Sequence, residues 1–70
     1  MTDRPRVALV CADRGIPLLG CGGASAHLRG MAQGYREAGC LVELWVARLL
    51  PSADRRAVAL PPGLVARQAP

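Results

Sequence analysis

The sequence predicts an α/β fold with parallel strands, and three observations predict it. Residues 7–12 form a continuous apolar run, Val7-Ala8-Leu9-Val10-Cys11-Ala12. A turn-rich segment follows, closing on Gly20-Cys21-Gly22-Gly23-Ala24-Ser25, and a helical pattern then runs to Gly39. A second apolar run spans Leu41 to Ala47. Strand, glycine loop, helix, strand is the order of a βαβ unit, whose right-handed crossover makes the two strands parallel.

The first run has no polar alternation, which suits a strand covered on both faces. Arg14-Gly15-Ile16-Pro17 then breaks regular structure. The connection from Asp13 to Gly23 is long for a βα loop, where about 2–6 residues are usual. Long loops in this position are often functional. Ser25 or Gly23 is placed to cap the helix. Leu28, Met31, Ala32, Tyr35 and Ala38 form its apolar stripe, with Arg29, Gln33, Arg36 and Glu37 toward solvent. Gly30 and Gly34 each cost the helix ~1 kcal/mol relative to alanine, and close packing of helix on sheet is the expected compensation. Gly39 stops the helix as its C′ residue.

Val42, Leu44, Trp45 and Val46 make the body of the second strand. Leu50 to Arg56 reads as a loop, Ala57 to Leu60 as a short third strand, and Leu64 to Pro70 as no regular element. One helix on two or three strands leaves a sheet face bare, whereas parallel sheets are normally covered on both. The expectation is a Rossmann-like βαβ(β) unit that forms part of a larger α/β protein.

Composition narrows the function. The chain has 70 residues, room for at most one small domain. At this length only ~60% of the unfolded surface is buried, so stability is marginal. The three cysteines, Cys11, Cys21 and Cys40, form no CxxC pair, and His27 is the only histidine. Neither a disulfide framework nor a metal site is expected. Cys11 and Cys40 read as small buried hydrophobes in a reducing compartment. Cys21, in the loop, has no evident general base beside it to make it a nucleophile.

The net charge is +4, and all nine basic residues are arginine. They are scattered along the sequence without a basic stripe, and Tyr35 and Trp45 are the only aromatics. Nucleic acid is therefore not an expected partner, and a modest preference for anionic ligands is what the charge supports. No apolar run approaches the ~18 residues of a membrane span. The apolar run behind the charged start is too short for a signal peptide. The expected location is cytoplasmic.

The glycine loop carries the chemistry. Glycines let backbone approach a ligand closely, and a helix start offers unpaired N–H groups to an anion. The dinucleotide fingerprint G-x-G-x-x-G fails at its third position, which is Ser25. The loop is also longer than that motif's tight turn. No acid ends the second strand to hold a ribose, and only Arg48 is placed to meet a 2′-phosphate. A Walker A loop is excluded, since no Gly-Lys-Ser/Thr triplet occurs. A fragment of an NAD(P)-binding oxidoreductase stays open as an alternative, as does a small non-enzymatic α/β interaction module.

The whole pattern has a better match. Arg6-Val7-Ala8-Leu9-Val10-Cys11-Ala12-Asp13, then Gly15-Ile16-Pro17, then Gly20-Cys21-Gly22-Gly23-Ala24-Ser25-Ala26-His27-Leu28, then Arg36-Glu37-Ala38-Gly39-Cys40-Leu41-Val42-Glu43-Leu44 stand in order. This resembles the amino terminus of GT-B glycosyltransferases of the family 4 type, over roughly residues 6–46. Cys40-Leu41 departs from the His-Glu usual after the helix glycine, and Gly30 and Gly34 replace better helix formers.

The resemblance implies an incomplete piece of a GT-B amino-terminal domain, on the acceptor side of a two-domain cleft. It implies a retaining transfer from a nucleotide sugar to a sugar or lipid-linked acceptor, with no metal and no further cofactor. Gly22 and Gly23 match the pair that meets the donor's diphosphate. Asp13 ends the first strand and reads as either a turn residue or an acceptor contact. Ser25 reads as a cap or a ligand. His27 reads as a surface residue, a substrate contact or a catalytic base, and no other catalytic candidate is visible. Arg14 is solvated or meets an anionic acceptor. The carboxyl-terminal donor domain, and with it the nucleotide pocket, is absent, so this chain alone is expected to be inactive. Peripheral contact with a membrane stays open.

Overall fold

The computed structural model describes residues 3–69. Both apolar runs become strands, β1 (Arg6–Cys11) and β2 (Leu41–Val46), joined by the helix α1 (Gly23–Glu37). A last strand, β3 (Val65–Gln68), completes a sheet of order β1-β2-β3. All pairings are parallel: Arg6 to Cys11 lie opposite Leu41 to Val46, and Glu43 to Val46 lie opposite Val65 to Gln68. This is the Rossmann-like α/β unit that the sequence predicts.

The third strand lies later than expected. Residues 57–60 form no strand, and residues 65–68 do. Pro61 begins a turn that brings the Leu64 N–H to the Pro61 carbonyl at 3.3 Å. Gly63 permits that turn with φ +85°. The chain emerges beside β2 only after it. Ala57 to Leu60 docks instead on the segment after β1, where the Val58 N–H donates to the Leu19 carbonyl at 2.9 Å.

The core occupies one face of the sheet. Leu44 and Val46 of β2 meet Ala32 of α1, Leu18 of the loop and Leu64. The other face is bare, as the element inventory requires. Val10 is 73% exposed, and Leu41, Trp45 and Val65 lie open on the same side. Burial of β1 on both faces, expected from its unbroken apolar run, is therefore not found.

The helix is rolled relative to its apolar stripe. Met31 and Tyr35 are 41% and 42% exposed, whereas Arg29 and Gln33 are half-buried. The reason is local hydrogen bonding. The Arg29 guanidinium turns inward to two loop carbonyls, and its apolar stem packs on the way. Gly30 and Gly34 do not serve close packing: both are exposed, and a Cβ at either would meet nothing within 4 Å.

The helix ends also differ in part from expectation. Gly22 is the N-cap, with φ −67° and ψ 163° and no side-chain cap. Ser25 lies inside the first turn, buried, and so does not cap. At the other end Gly39, with φ +97°, closes a Schellman motif. The Gly39 N–H donates to the Arg36 carbonyl at 3.0 Å and the Cys40 N–H to the Tyr35 carbonyl at 3.1 Å.

Candidate anion-binding site

The segment between β1 and α1 is built from turns. Asp13 Oδ1 accepts from the Gly15 N–H at 2.7 Å, and the Asp13 carbonyl accepts from the Ile16 N–H at 3.1 Å. The Gly20 N–H returns to the Pro17 carbonyl at 3.0 Å. Gly20 must be glycine here. A Cβ would sit 2.9 Å from Pro17 Cγ and 3.0 Å from Ser25 Oγ.

This loop is laced to the chain leaving β2. The Leu18 N–H donates to the Arg48 carbonyl and the Leu19 N–H to the Leu49 carbonyl, both at 3.0 Å. With the Val58 to Leu19 bond, these pin residues 48–58 opposite the start of α1. A hollow of about 610 Å³ lies between them. Gly20, Gly22, Gly23 and Ser25 line one wall, and Arg48, Arg55 and Arg56 the other. It opens beyond the carboxyl ends of β1 and β2, where α/β sheets place their ligands.

Its electrostatics favour an anion. The Ala26 N–H is the first to find a helical partner, the Gly22 carbonyl at 3.0 Å. The earlier N–H groups of the first turn are free for a ligand, and the helix dipole adds positive potential there. No acid occupies that turn, and among the described residues no carboxylate lines the hollow. Arg48 is braced, its Nε donating to the Leu50 carbonyl at 2.9 Å and its Nη2 to Ser52 Oγ at 3.2 Å. The Arg55 and Arg56 side chains have no hydrogen-bond or ion-pair partner among the described residues.

Of the residues singled out from sequence, Gly22, Gly23 and Ser25 come together on this hollow. Asp13 does not line it; its carboxylate closes the turn to Gly15. His27 is exposed on α1 and does not line it either. Cys21 is exposed on the loop, its Sγ donating to the Arg56 carbonyl at 3.2 Å. Cys11 and Cys40 are half-buried. Among the described residues no group of three or more His, Cys, Asp and Glu could hold a metal, and no helix is long and apolar enough to cross a membrane.

Scattered in sequence, most of the arginines gather in two places in the fold. Besides Arg48, Arg55 and Arg56, a second set lines a hollow of about 540 Å³ at the amino ends of the strands: Arg4, Arg6, Arg36 and Arg67. Among the described residues Glu43 is the only acid that lines this second hollow. The Arg55-Arg56 pair is absent from the sequence-derived site. One signal points to it: the loop leaving β2 in a βαβ unit emerges next to the loop leaving β1.

No protein-family model matches this chain, and comparisons with curated proteins and with solved structures found no match.

Proposed function

We propose that this chain is the amino-terminal, acceptor-side part of a retaining glycosyltransferase that uses a nucleotide sugar. Its glycine-loop hollow takes the donor's diphosphate. One observation carries this reading: the start of α1 opens, through Gly22 and Gly23, into a cationic hollow with no carboxylate among the described residues that line it. The order of motifs from Arg6 to Val46 supports it from the sequence side.

The chemistry follows from where charge develops. When the bond from the anomeric carbon to the diphosphate oxygen breaks, negative charge grows on the leaving group. N–H groups of Gly23 and Ala24, fixed before reaction by the helix, favour that charge at no reorganisation cost. The braced guanidinium of Arg48 adds positive potential. In this reading a carboxyl-terminal domain grips the nucleotide, and these 70 residues bind but do not turn over. A cytoplasmic location belongs to the same reading.

Titration of the ¹⁵N-labelled chain with pyrophosphate, UDP and NADP⁺, followed by NMR, tests it. Saturable shifts of the Gly22, Gly23 and Ala24 amides with pyrophosphate and UDP are expected, and none with uridine. Silent amides at all three positions would overturn the site. Binding that depends on the adenosine and nicotinamide of NADP⁺ would favour the oxidoreductase reading. Sugar transfer by the chain alone would contradict the division of labour between two domains.

A further inference from the structure

We propose that Arg29 is a positioning residue for the bound anion. By taking the Leu18 and Gly20 carbonyls it holds the loop so that the N–H groups from Cys21 to Ala24 stay free for a ligand. This rests on the reading of the glycine-loop hollow as the diphosphate site and adds the residue that shapes it.

The backbone changes character at one point. Leu18, Leu19 and Gly20 have both of their main-chain polar groups paired. Their N–H groups donate to the Arg48, Leu49 and Pro17 carbonyls, each at 3.0 Å. The Leu19 carbonyl accepts from the Val58 N–H at 2.9 Å. The Leu18 and Gly20 carbonyls both accept from Arg29 Nη1, at 2.6 Å and 2.7 Å. From Cys21 to Ala24 no N–H has a partner among the described residues, and the helical pattern begins only with the Ala26 N–H. Arg29 therefore completes the pairing of the segment that ends where the free donors start.

Arg29 does not line the hollow, so its effect passes through the loop. The Gly20 carbonyl and the Cys21 N–H belong to one planar trans peptide unit and point in opposite directions. The bond from Arg29 to that carbonyl thus sets the direction of an N–H in the wall of the hollow, which Cys21 lines. Without Arg29 both carbonyls lose their partner, a cost that the loop relieves by turning them toward water. The open water beside Gly20 is the hollow itself, and a carbonyl oxygen turned into it repels an anion. Arginine suits the task because its charge is permanent and its bonds to carbonyls are charge-assisted.

The experiment titrates the ¹⁵N-labelled wild-type, Arg29→Met, Arg29→Lys and Gly39→Ala chains with pyrophosphate, followed by NMR. Arg29→Met is expected to weaken binding about tenfold or more, the loss seen at metal sites when a partner that orients a ligating group is removed. Its Cys21 and Gly22 amide signals are displaced from those of wild type before any ligand is added. Gly39→Ala destabilises the far end of α1 and binds within about twofold of wild type, which separates loss of the loop from loss of stability. Arg29→Lys keeps the charge on a compact ammonium and binds with an affinity between those of Arg29→Met and wild type. Should Arg29→Met not fold, Arg29→Lys carries the test, and wild-type affinity in it overturns the inference.

Wild-type affinity in Arg29→Met overturns it directly. Weakening with unmoved Cys21 and Gly22 signals also overturns it, since charge alone would then account for the loss. A guanidinium signal of Arg29 that moves with pyrophosphate in wild type does the same, by making Arg29 a ligand contact. So does equal weakening in Gly39→Ala. Failure of the parent reading looks different: the wild-type Gly22 to Ala24 amides do not respond to pyrophosphate, and the positioning role falls with it.

Discussion

Arg29 donates from Nη1 to the carbonyl of Gly20 at 2.7 Å, and the same nitrogen reaches the Leu18 carbonyl at 2.6 Å. A side chain from the second turn of α1 thereby holds the loop that leads into Gly22. The bond is charge-assisted and half-buried, the setting in which a hydrogen bond contributes most. Arg29→Met keeps the stem and removes the donors. It should cost about 2–3 kcal/mol in urea denaturation, because two carbonyls lose their partner. Stability per residue is only ~0.05–0.15 kcal/mol, so that loss is a large share of the total. A change below about 0.5 kcal/mol would show that the bridge is incidental.

The glycines divide into those the fold requires and those it merely tolerates. Gly20→Ala places a methyl 2.9 Å from Pro17 Cγ and 3.0 Å from Ser25 Oγ, and a forced shift of this kind costs ~1–3 kcal/mol. Gly30→Ala and Gly34→Ala meet nothing within 4 Å on an exposed helix face. Each should stabilise by ~1 kcal/mol. In thermal unfolding that is a rise of about 4–8 °C per substitution for a domain of this size.

These positions also show what the residues disclose in advance. The βαβ unit is legible because two apolar runs and Gly39 bracket a helical pattern, each a local signal. The roll of α1 is not, because hydropathy assigns Arg29 to solvent, whereas two carbonyls of the loop leading into the helix draw it in. Ala57 to Leu60 is more apolar than Val65 to Gln68, yet the latter pairs with β2. An edge strand with one bare face tolerates Arg67, so apolarity is a poor guide to it. Arg55 and Arg56 reach the candidate site only through the lacing of Leu18 and Leu19 to residues 48 and 49, which is tertiary.

Gly63 and Gly39 separate backbone strain from crowding. Both have positive φ, +85° and +97°. At Gly39 a Cβ meets nothing within 4 Å, whereas at Gly63 it would overlap the Arg36 guanidinium. Gly39→Ala should then cost only the left-handed backbone term, ~1–2 kcal/mol, and Gly63→Ala more than that. Removing Arg36 as well, in a double-mutant cycle, should recover the excess and leave the backbone term. Equal costs at the two glycines would mean that Arg36 swings away freely.

The bare face yields a test that distinguishes the chain from a longer protein containing it. Trp45 is 36% exposed there, with the Arg67 guanidinium carbon 5.6 Å from its ring centroid. Arg67 Nε in turn lies 3.3 Å from Glu43 Oε1. Exposed pairs of this kind contribute about 1 kcal/mol or less, so they do not substitute for a covering layer. In this chain Trp45 fluorescence should be red-shifted and open to acrylamide. Val10→Ala should change stability by no more than about 0.5 kcal/mol, as exposed substitutions do. Leu44→Ala, on the covered face and 0% exposed, should cost ~2–5 kcal/mol. In a longer chain whose added segment covers the sheet, Val10→Ala becomes a core substitution. Its cost there should rise toward that of Leu44→Ala, and Trp45 emission should move to the blue. An unchanged cost and an unchanged spectrum in the longer protein would mean that the face stays bare, and the reading of this unit as part of a two-sided parallel sheet would fail.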